Sequence, residues 1–463
     1  MKKLSFIILL LSIFNNILFY GISYGINVIC FIIPLLLFLY YSLKKKDMIQ
    51  NKKGLLFLIP ILLISCSYFI YDNYFFQFFN QIIITGLILL FYIYTIRPTY
   101  NLGEVIGHCI SLVFDPLSKV GDFIESTTSE LQKLFKVSDE KRRILKSFVI
   151  VIPIVIVVLI LLSSADMIFG SYFKDIGKFF QNLSTGDIIG RCIWTVVLFV
   201  YFGSVMTYLF TEYRDTKIQK KPAKEIDSYT IKLLFISLNI IYVLFDFIQI
   251  RSLIFHRISM DIPYSTYARQ GFFQLMAISV LNIIILLLSK RSKSDKFIKG
   301  SSILMVVLTF IIIVSSFLRM SMYEAAYGYT LLRLLVYVTL ITESILLIPT
   351  IIYILKKDFN VFAYYLGIIT CCYTILALFP VDNFIANNNI ERYYKTDKID
   401  VDYLMNSGCD NIPLLIELSD RMEDGEDKNI LKDYLGTFEL RKDSIFEYNY
   451  SRNKAYSIIK NKE

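Results

Sequence analysis

One carboxylic acid lies in the middle of a long apolar run of this sequence. Glu343 stands within the run 329–354, far from either end. A charged side chain at that depth of a bilayer is costly, so this residue predicts a functional site for a proton or a cation. The alternative, which we favour, is a protonated or hydrogen-bonded glutamate that joins helices, because no second carboxylate stands out at mid-depth. Asp166 and Asp246 lie nearer the ends of their runs, where solvation is cheaper.

Arginine, tyrosine and glycine recur in two connections between apolar runs, close to where a helix begins. The first connection contains Arg251, Tyr264, Tyr267, Arg269 and Gly271, and the second contains Tyr323, Glu324, Tyr327 and Arg333. The positive end of a helix dipole favours anions, and the guanidinium fork matches a phosphate or a carboxylate. These residues therefore predict a site for an anionic ligand. The alternatives are internal ion pairs with a carboxylate such as Glu324, and an ordinary belt of interfacial tyrosines.

The composition decides which elements must position these residues. Of the 463 residues, 56% are hydrophobic and 19% are charged, whereas a soluble protein has about 45–50% and about 25%. These values exclude a single soluble domain and a mostly disordered chain. The seven cysteines include no C-x-x-C pair and only two histidines occur, so we expect no disulfide framework, no metal site and no cofactor. No phosphate-binding loop or nucleophile–base pair is visible, so we do not expect an enzyme.

Apolar runs long enough to cross a bilayer, which takes about 20 residues, occur eleven times in the sequence. We therefore predict an all-α integral membrane protein with about eleven transmembrane helices. The runs are 4–21, 25–43, 54–71, 75–96, 148–169, 189–211, 229–250, 268–289, 300–319, 329–354 and 361–380.

Lysine and arginine are concentrated in alternate connections, and this asymmetry predicts the orientation. If the N-terminus is inside, the cytoplasmic segments hold 27 basic residues and the short outer loops hold 5. We therefore expect a multi-pass protein of the cell membrane with a cytoplasmic N-terminus and, after eleven spans, an extracytoplasmic tail. The net charge of +9 then reflects orientation, and it does not indicate a nucleic-acid partner.

The spans divide the chain into four segments. Residues 1–96 hold four spans, 97–147 form a cytoplasmic segment, 148–380 hold seven spans, and 381–463 form a soluble tail. Within the second segment, Asp115-Pro116 is a typical helix start followed by apolar residues at helical spacing. That helix lies either in the inner membrane interface or against the underside of the bundle. The tail carries 12 basic and 17 acidic residues and no spanning run, so we expect a small, mostly helical domain.

Four ordered blocks mark the second half of the chain. They are Tyr264-x-x-Tyr267-Ala-Arg269-x-Gly271, Tyr323-x-x-x-Tyr327-Gly-x-Thr330-x-x-Arg333, Ile385-Ala-x-x-Asn389-Ile-x-Arg392-Tyr393 and Asp400-x-Asp402-Tyr-Leu404. They resemble an uncharacterised family of bacterial polytopic membrane proteins that carries only a domain-of-unknown-function label (forty-one seventy-three, related to forty-one fifty-three). The resemblance implies a multi-spanning protein with an appended tail, and it implies no established reaction. Because these blocks would share the outer face, we expect the tail to dock over the loops, so that Asn389 and Asp402 join the anion site.

Three functions follow as hypotheses. The leading one is a cell-envelope protein that binds or presents an anionic lipid-linked ligand or a small anionic solute at its outer face. The second is a proton-coupled secondary transporter with Glu343 as the coupling carboxylate, although neither repeated halves nor matched broken spans are visible. The third is a non-catalytic sensor or partner subunit. The expected partners are the lipid bilayer, such an anionic ligand and, for the third function, another protein.

Overall fold

A computed structural model describes residues 2–96, 102–135, 185–211, 225–251, 272–293, 295–356, 359–437 and 442–460. Within these ranges the chain forms helices joined by turns and short loops, and no strand occurs, which confirms the all-helical class. The chain divides into two compact units. The first comprises 1–69, 81–219 and 443–449, and the second comprises 70–80, 220–442 and 450–463.

The first unit is built mainly from the helices before residue 212. The helices of this part of the chain are α1 (Lys2–Phe19), α2 (Ile26–Lys45), α3 (Leu58–Ile70), α4 (Tyr74–Ile96), α5 (Leu102–Phe114), α6 (Val120–Phe135) and α7 (Thr185–Thr211). Residues 70–80 belong to the second unit. They comprise the last residue of α3, the connection that follows it and the first turns of α4. The predicted helix start at Asp115-Pro116 is a short 3-10 turn, Asp115–Lys119, that leads directly into α6. Phe123 of α6 packs on Phe199 of α7, with ring centroids 5.1 Å apart, so α6 buries this face against α7.

The second unit contains a helical bundle whose central element is unusually long. Its helices are α8 (Ser228–Gln249), α9 (Phe272–Ser289), α10 (Lys296–Tyr327), α11 (Leu331–Leu355) and α12 (Val361–Ala377). Helix α10 packs on α8, α9 and α11, and α11 also packs on α12. Three of these helices begin at a side-chain cap, because Asp227, Asp295 and Asn360 each accept a bond from a backbone N–H of the first turn.

Helix α10 continues well past its predicted span of 300–319. Its 32 residues measure about 48 Å at about 1.5 Å per residue, against a hydrocarbon core of about 30 Å. The Met, Glu and Ala residues after Arg319 favour a helix, and the first helix breaker is Gly328. Gly328 has φ +81°, a left-handed conformation that favours glycine. Tyr323, Glu324 and Tyr327 therefore lie on a helix, and the predicted loop shrinks to a short turn.

The tail consists of short helices around its own apolar core. They are α13 (Val381–Thr396), α14 (Val401–Met405), α15 (Ile412–Arg421), α16 (Glu426–Thr437) and α17 (Tyr450–Lys460). Ile385, Leu404, Leu415, Leu431 and Ala455 are at most 1% exposed and belong to this core. The tail is thus helical, as the sequence predicts.

Eight helices of the described residues are long and apolar enough to cross a membrane. They are 26–45, 52–70, 74–96, 190–210, 228–249, 272–289, 296–327 and 331–355. The first predicted run corresponds to a shorter apolar helix, Ser5–Phe19, and the run 148–169 lies outside the described residues. The last run corresponds to α12, which together with α13 also passes as one span bent by 62°. The count of eleven stays a prediction.

Apolar side chains cover the outside of these helices, and polar side chains lie inside. On α8, Leu233 and Leu244 are 67% and 60% exposed, whereas Asn239 and Asp246 are buried. A water-soluble bundle would show the reverse pattern. The distribution is typical of helices whose surroundings are lipid and whose interiors join through hydrogen bonds.

Candidate functional site

Helix α8 carries a buried polar stripe along the face that the bundle covers. Asn239, Tyr242, Asp246 and Gln249 recur at intervals of three and four residues and are all buried. Asn239 Nδ2 donates to the backbone oxygen of Ser301 at 3.0 Å. Arg319 of α10 is buried, and its Nη2 donates to Gln249 Oε1 at 2.9 Å. The stripe therefore pairs α8 with α10 at both of its ends.

Helices α9 and α11 add further polar side chains to this interior. Tyr242 donates its hydroxyl proton to Asn282 Oδ1 of α9 at 2.7 Å. Asn282 Nδ2 in turn donates to Thr309 Oγ1 of α10 at 3.0 Å. One turn away on α9, the Ser279 hydroxyl is hydrogen-bonded to the carboxyl group of Glu343 on α11. One set of hydrogen bonds thus joins α8, α9 and α10, and another joins α9 and α11.

The hydrogen bonds of Ser279 fit a Glu343 that carries a proton. Ser279 Oγ lies 2.7 Å from the backbone oxygen of Met276 and is also bonded to Glu343 Oε2. A hydroxyl has one proton to donate, and a carbonyl oxygen can only accept. If the serine proton goes to Met276, the bond to Glu343 requires a proton on the carboxyl group. If the serine proton goes to Glu343 instead, the contact between Ser279 Oγ and the Met276 oxygen has no proton.

Both carboxyl groups of this interior have oxygens without a hydrogen-bond partner among the described residues. Glu343 is 3% exposed, and its Oε1 has no partner. Asp246 is 2% exposed, and neither of its oxygens has one. The expectation that Asp246 is easily solvated near the end of its span is therefore wrong, because neighbouring helices bury it. A buried carboxylate ion without donors is strongly unfavourable.

Two separate sets of hydrogen bonds lie between the two carboxyl groups, and no described hydrogen bond joins them into one path. Asp246 is one helical turn from Tyr242, which is bonded to Asn282. Asn282 is one turn from Ser279, which is bonded to Glu343. Glu343 is the middle residue of the 25-residue α11. The arrangement places polar side chains between one carboxyl group at the middle of α11 and another near the end of α8.

Arg333, one of the predicted anion-binding residues, is bonded to the chain itself. Its Nη1 donates to the backbone oxygens of Tyr327, at 3.2 Å, and of Gly328. Its guanidinium carbon lies 4.4 Å from the ring centroid of Tyr323. Glu324 instead accepts a bond from the Tyr337 hydroxyl at 3.1 Å. Arg333 thus caps the C-terminal carbonyls of α10, and the predicted ion pair with Glu324 is not formed.

Asn389 of the tail clamps the turn that follows α10. Its Oδ1 accepts the backbone N–H of Tyr329 at 2.7 Å, and its Nδ2 donates to the Tyr329 oxygen at 2.8 Å. Arg392 Nη2 donates to the oxygen of Ala326 at 2.6 Å. Tyr403 contributes its hydroxyl oxygen, which accepts the N–H of Leu331 at 2.7 Å. The tail therefore rests on this turn through bonds to backbone atoms.

The remaining predicted anion-site residues are not brought to this turn by the described structure. Arg251 is exposed at the end of a described range. Asp402 is exposed on α14, where its side chain has no described contact. Tyr264, Tyr267, Arg269 and Gly271 lie outside the described residues. Binding of an anionic ligand at these positions stays a prediction.

A second cluster of carboxylates lies where the tail meets residues 70–80. Asp410 accepts the backbone N–H of Asp72 at 3.1 Å, and Asp382 accepts two contacts from Asn73 Nδ2 at 2.9 and 2.8 Å. Burial, and then the charges of Asp382 and Asp72, raise the pKa of Asp410 to about 7, although hydrogen bonds from Ser451 and Asp72 oppose the shift. No group of three or more His, Cys, Asp or Glu in the described part of the chain could hold a metal ion.

The lipid-facing helices and the buried polar network together define the class of this protein as a multi-pass helical membrane protein. Residues 58–418 match the family described as "Domain of unknown function (DUF4153)", and the chain belongs to that family. The sequence blocks indicate this family together with the label forty-one seventy-three, and the relation between the two labels stays a prediction. No curated protein and no solved structure matches the chain.

Proposed function

We propose that this protein is a proton-coupled secondary transporter in which Glu343 and Asp246 take up and release protons. The observation that carries the proposal is the burial of both carboxyl groups, each with at least one oxygen lacking a hydrogen-bond donor among the described residues. Ionisable groups inside a membrane bundle are rare and mark proton relays in pumps and transporters. The sequence interpretation that Glu343 only joins helices relied on the lack of a second carboxylate at mid-depth; Asp246 lies nearer the end of its helix, and its burial makes it a second acid inside the bundle.

The proposed cycle follows from the environment of the two groups. In the conformation described, both carboxyl groups hold a proton because the interior offers too few donors to an anion. A conformation that admits water to either group stabilises the anion, so the proton leaves. Tyr242, Asn282 and Ser279 lie between them, and the proposed relay requires a conformation that brings Asp246 to Tyr242 and Asn282 to Ser279.

Proton flux into liposomes tests this function. The full chain is reconstituted in phosphatidylethanolamine and phosphatidylglycerol with a pH-sensitive dye inside. A pH gradient is imposed, alone and with each of a panel of amino acids, sugars and organic acids. The wild type should acidify the interior, and Glu343→Gln and Asp246→Asn should abolish that flux. Glu423→Gln, a charge removal at an exposed tail position, is the control and should leave it unchanged.

Equal flux in the wild type and in both neutral variants would overturn the proposal. Glu343→Asp separates loss of the proton site from loss of the fold, because it keeps an ionisable group at the same place. Partial flux in Glu343→Asp, with none in Glu343→Gln, supports proton transfer through this side chain.

We also propose that the protein resides in the cell envelope with its N-terminus in the cytoplasm and its tail outside. The distribution of basic residues supports this orientation. Cys409 is a poor reporter of the tail, because it is 8% exposed and burial raises the pKa of its thiol. Glu423→Cys places a thiol at an exposed position of the tail. An impermeant maleimide should label it in intact cells, and labelling only after lysis would reverse the orientation.

A further inference from the structure

A basic cavity lies at the end of the bundle where α9 and α11 finish and α10 begins. Its volume is about 110 Å³, and Lys290, Lys299 and Lys356 line it together with Tyr353 and several apolar side chains. None of its lining residues is a carboxylate. A cavity holds one water once it offers about 10–15 Å³, so this one has room for several waters or a phosphate group.

Lys290 is held in place on the wall of this cavity. Its ammonium group donates to the backbone oxygens of Tyr353, at 2.6 Å, and of Lys356. The same group lies 4.0 Å from the centroid of the Tyr353 ring. Lys290 therefore caps the C-terminus of α11 and fixes one positive charge at the cavity.

The other two lysines bring charge that no described acid neutralises. Lys299 and Lys356 are exposed, and neither forms an ion pair with a described residue. Lys232 at the same end of the bundle differs, because it pairs with Asp295. Lys299 also lies in the first turns of α10, where the helix dipole adds positive potential. The cavity thus presents three positive charges, and none of its described lining residues supplies a counter-ion.

We infer that this cavity binds the phosphate of an anionic phospholipid headgroup. Ile298, Ile354 and Leu355 form part of its wall, and the exposed Leu355 gives the lysines an apolar neighbour at the surface. Basic pockets between spanning helices on the cytoplasmic side bind such headgroups. The predicted orientation places this end of the bundle at the inner leaflet. Free inorganic phosphate carries the same anionic group, but it has no acyl chains to contact the apolar wall.

Native mass spectrometry of the detergent-solubilised full chain tests the inference. The protein is titrated with phosphatidylglycerol and separately with phosphatidylcholine. The wild type should bind phosphatidylglycerol more tightly. The double variant Lys299→Gln/Lys356→Gln should weaken that binding about 25-fold, since each lysine near an anionic surface accounts for roughly fivefold. Lys296→Gln removes the same charge from the same helix outside the cavity, and should leave the affinity unchanged.

Each remaining outcome contradicts the inference. Equal affinity for the two lipids shows that no anionic headgroup is selected. Equal losses in the double variant and in Lys296→Gln show a general charge effect. Displacement of phosphatidylglycerol by millimolar inorganic phosphate alone, with no lipid selectivity, assigns the cavity to free phosphate. The single variant Lys356→Gln changes an exposed residue just after α11 and should weaken binding about fivefold. It shows whether the loss persists if the double variant misfolds.

Discussion

Protonation of Asp410 should make the stability of the tail depend on pH. The pKa of this group is about 7 in the folded chain, against 3.8 for the isolated side chain. Between these values the folded state keeps a proton that the unfolded state has lost, so the free energy of unfolding falls as pH rises. Each pKa unit corresponds to about 1.36 kcal/mol, so the tail should lose about 4 kcal/mol of stability between about pH 4 and pH 8.

The variant Asp410→Asn isolates this contribution. Asparagine keeps an oxygen that can accept the N–H of Asp72 and has no proton to lose. Amide hydrogen exchange of α15 reports opening of the tail, and the ratio of wild-type to variant rates at each pH cancels the intrinsic chemistry of exchange. That ratio should rise by about a thousandfold from the acidic to the alkaline end. Asp402→Asn, at an exposed position of the tail, should show a constant ratio.

A ratio for Asp410→Asn that stays constant over this pH range would refute the argument. A ratio that falls as pH rises would refute it more strongly, because it would mean that the carboxylate form stabilises the fold. A constant ratio would show that the hydrogen bonds from Asp72 and Ser451 balance the effect of burial, and a falling ratio that they outweigh it.

Three further changes test the turn and the proposed relay. Gly328→Ala should lower the thermal unfolding midpoint by an amount equivalent to about 1–3 kcal/mol, because φ is +81° and a Cβ would lie 2.4 Å from Asn389 Oδ1, whereas Gly300→Ala, with open space around it, should raise it slightly. Asn389→Asp should cost about 1–3 kcal/mol in the same assay, since it sets a carboxylate oxygen against the Tyr329 carbonyl; an unchanged midpoint would contradict the clamp. Tyr242→Phe removes the bond to Asn282 and should slow proton flux while both carboxyl groups remain; undiminished flux would exclude this relay.

The helices were largely predictable from the sequence because the apolar runs are long and few charges interrupt them. Glu343 was visible for the same reason, as a single acid within such a run. The role of Asp246 was missed, since position along a span says little about which neighbours bury a side chain. One signal was available: Asn239, Tyr242, Asp246 and Gln249 recur on one helical face of an otherwise apolar run. A polar stripe on a lipid-surrounded helix marks its interior face.

The role of Arg333 could not be predicted in the same way. The sequence shows that Arg333 lies near the start of a helix, and such a position is typical of an anion site. Its actual acceptors are the last carbonyls of α10, which come into reach only because the connecting turn is short and Gly328 ends the helix. The C-terminal end of α10 depends on how far this helix extends beyond the bilayer thickness. No local motif before Gly328 marks that end. The clamp by Asn389 likewise joins residues 60 positions apart.

Infrared spectroscopy of the carboxyl groups tests the central claim most directly. Protonated carboxyl groups absorb at a frequency separate from that of carboxylates, so a pH titration of the purified protein shows which groups hold protons. The proposed function predicts a protonated band near neutral pH that weakens in Glu343→Gln, weakens in Asp246→Asn, and is unaffected by Glu423→Gln. A spectrum in which neither neutral variant changes that band would mean that these buried groups hold no proton, and it would contradict proton coupling through them.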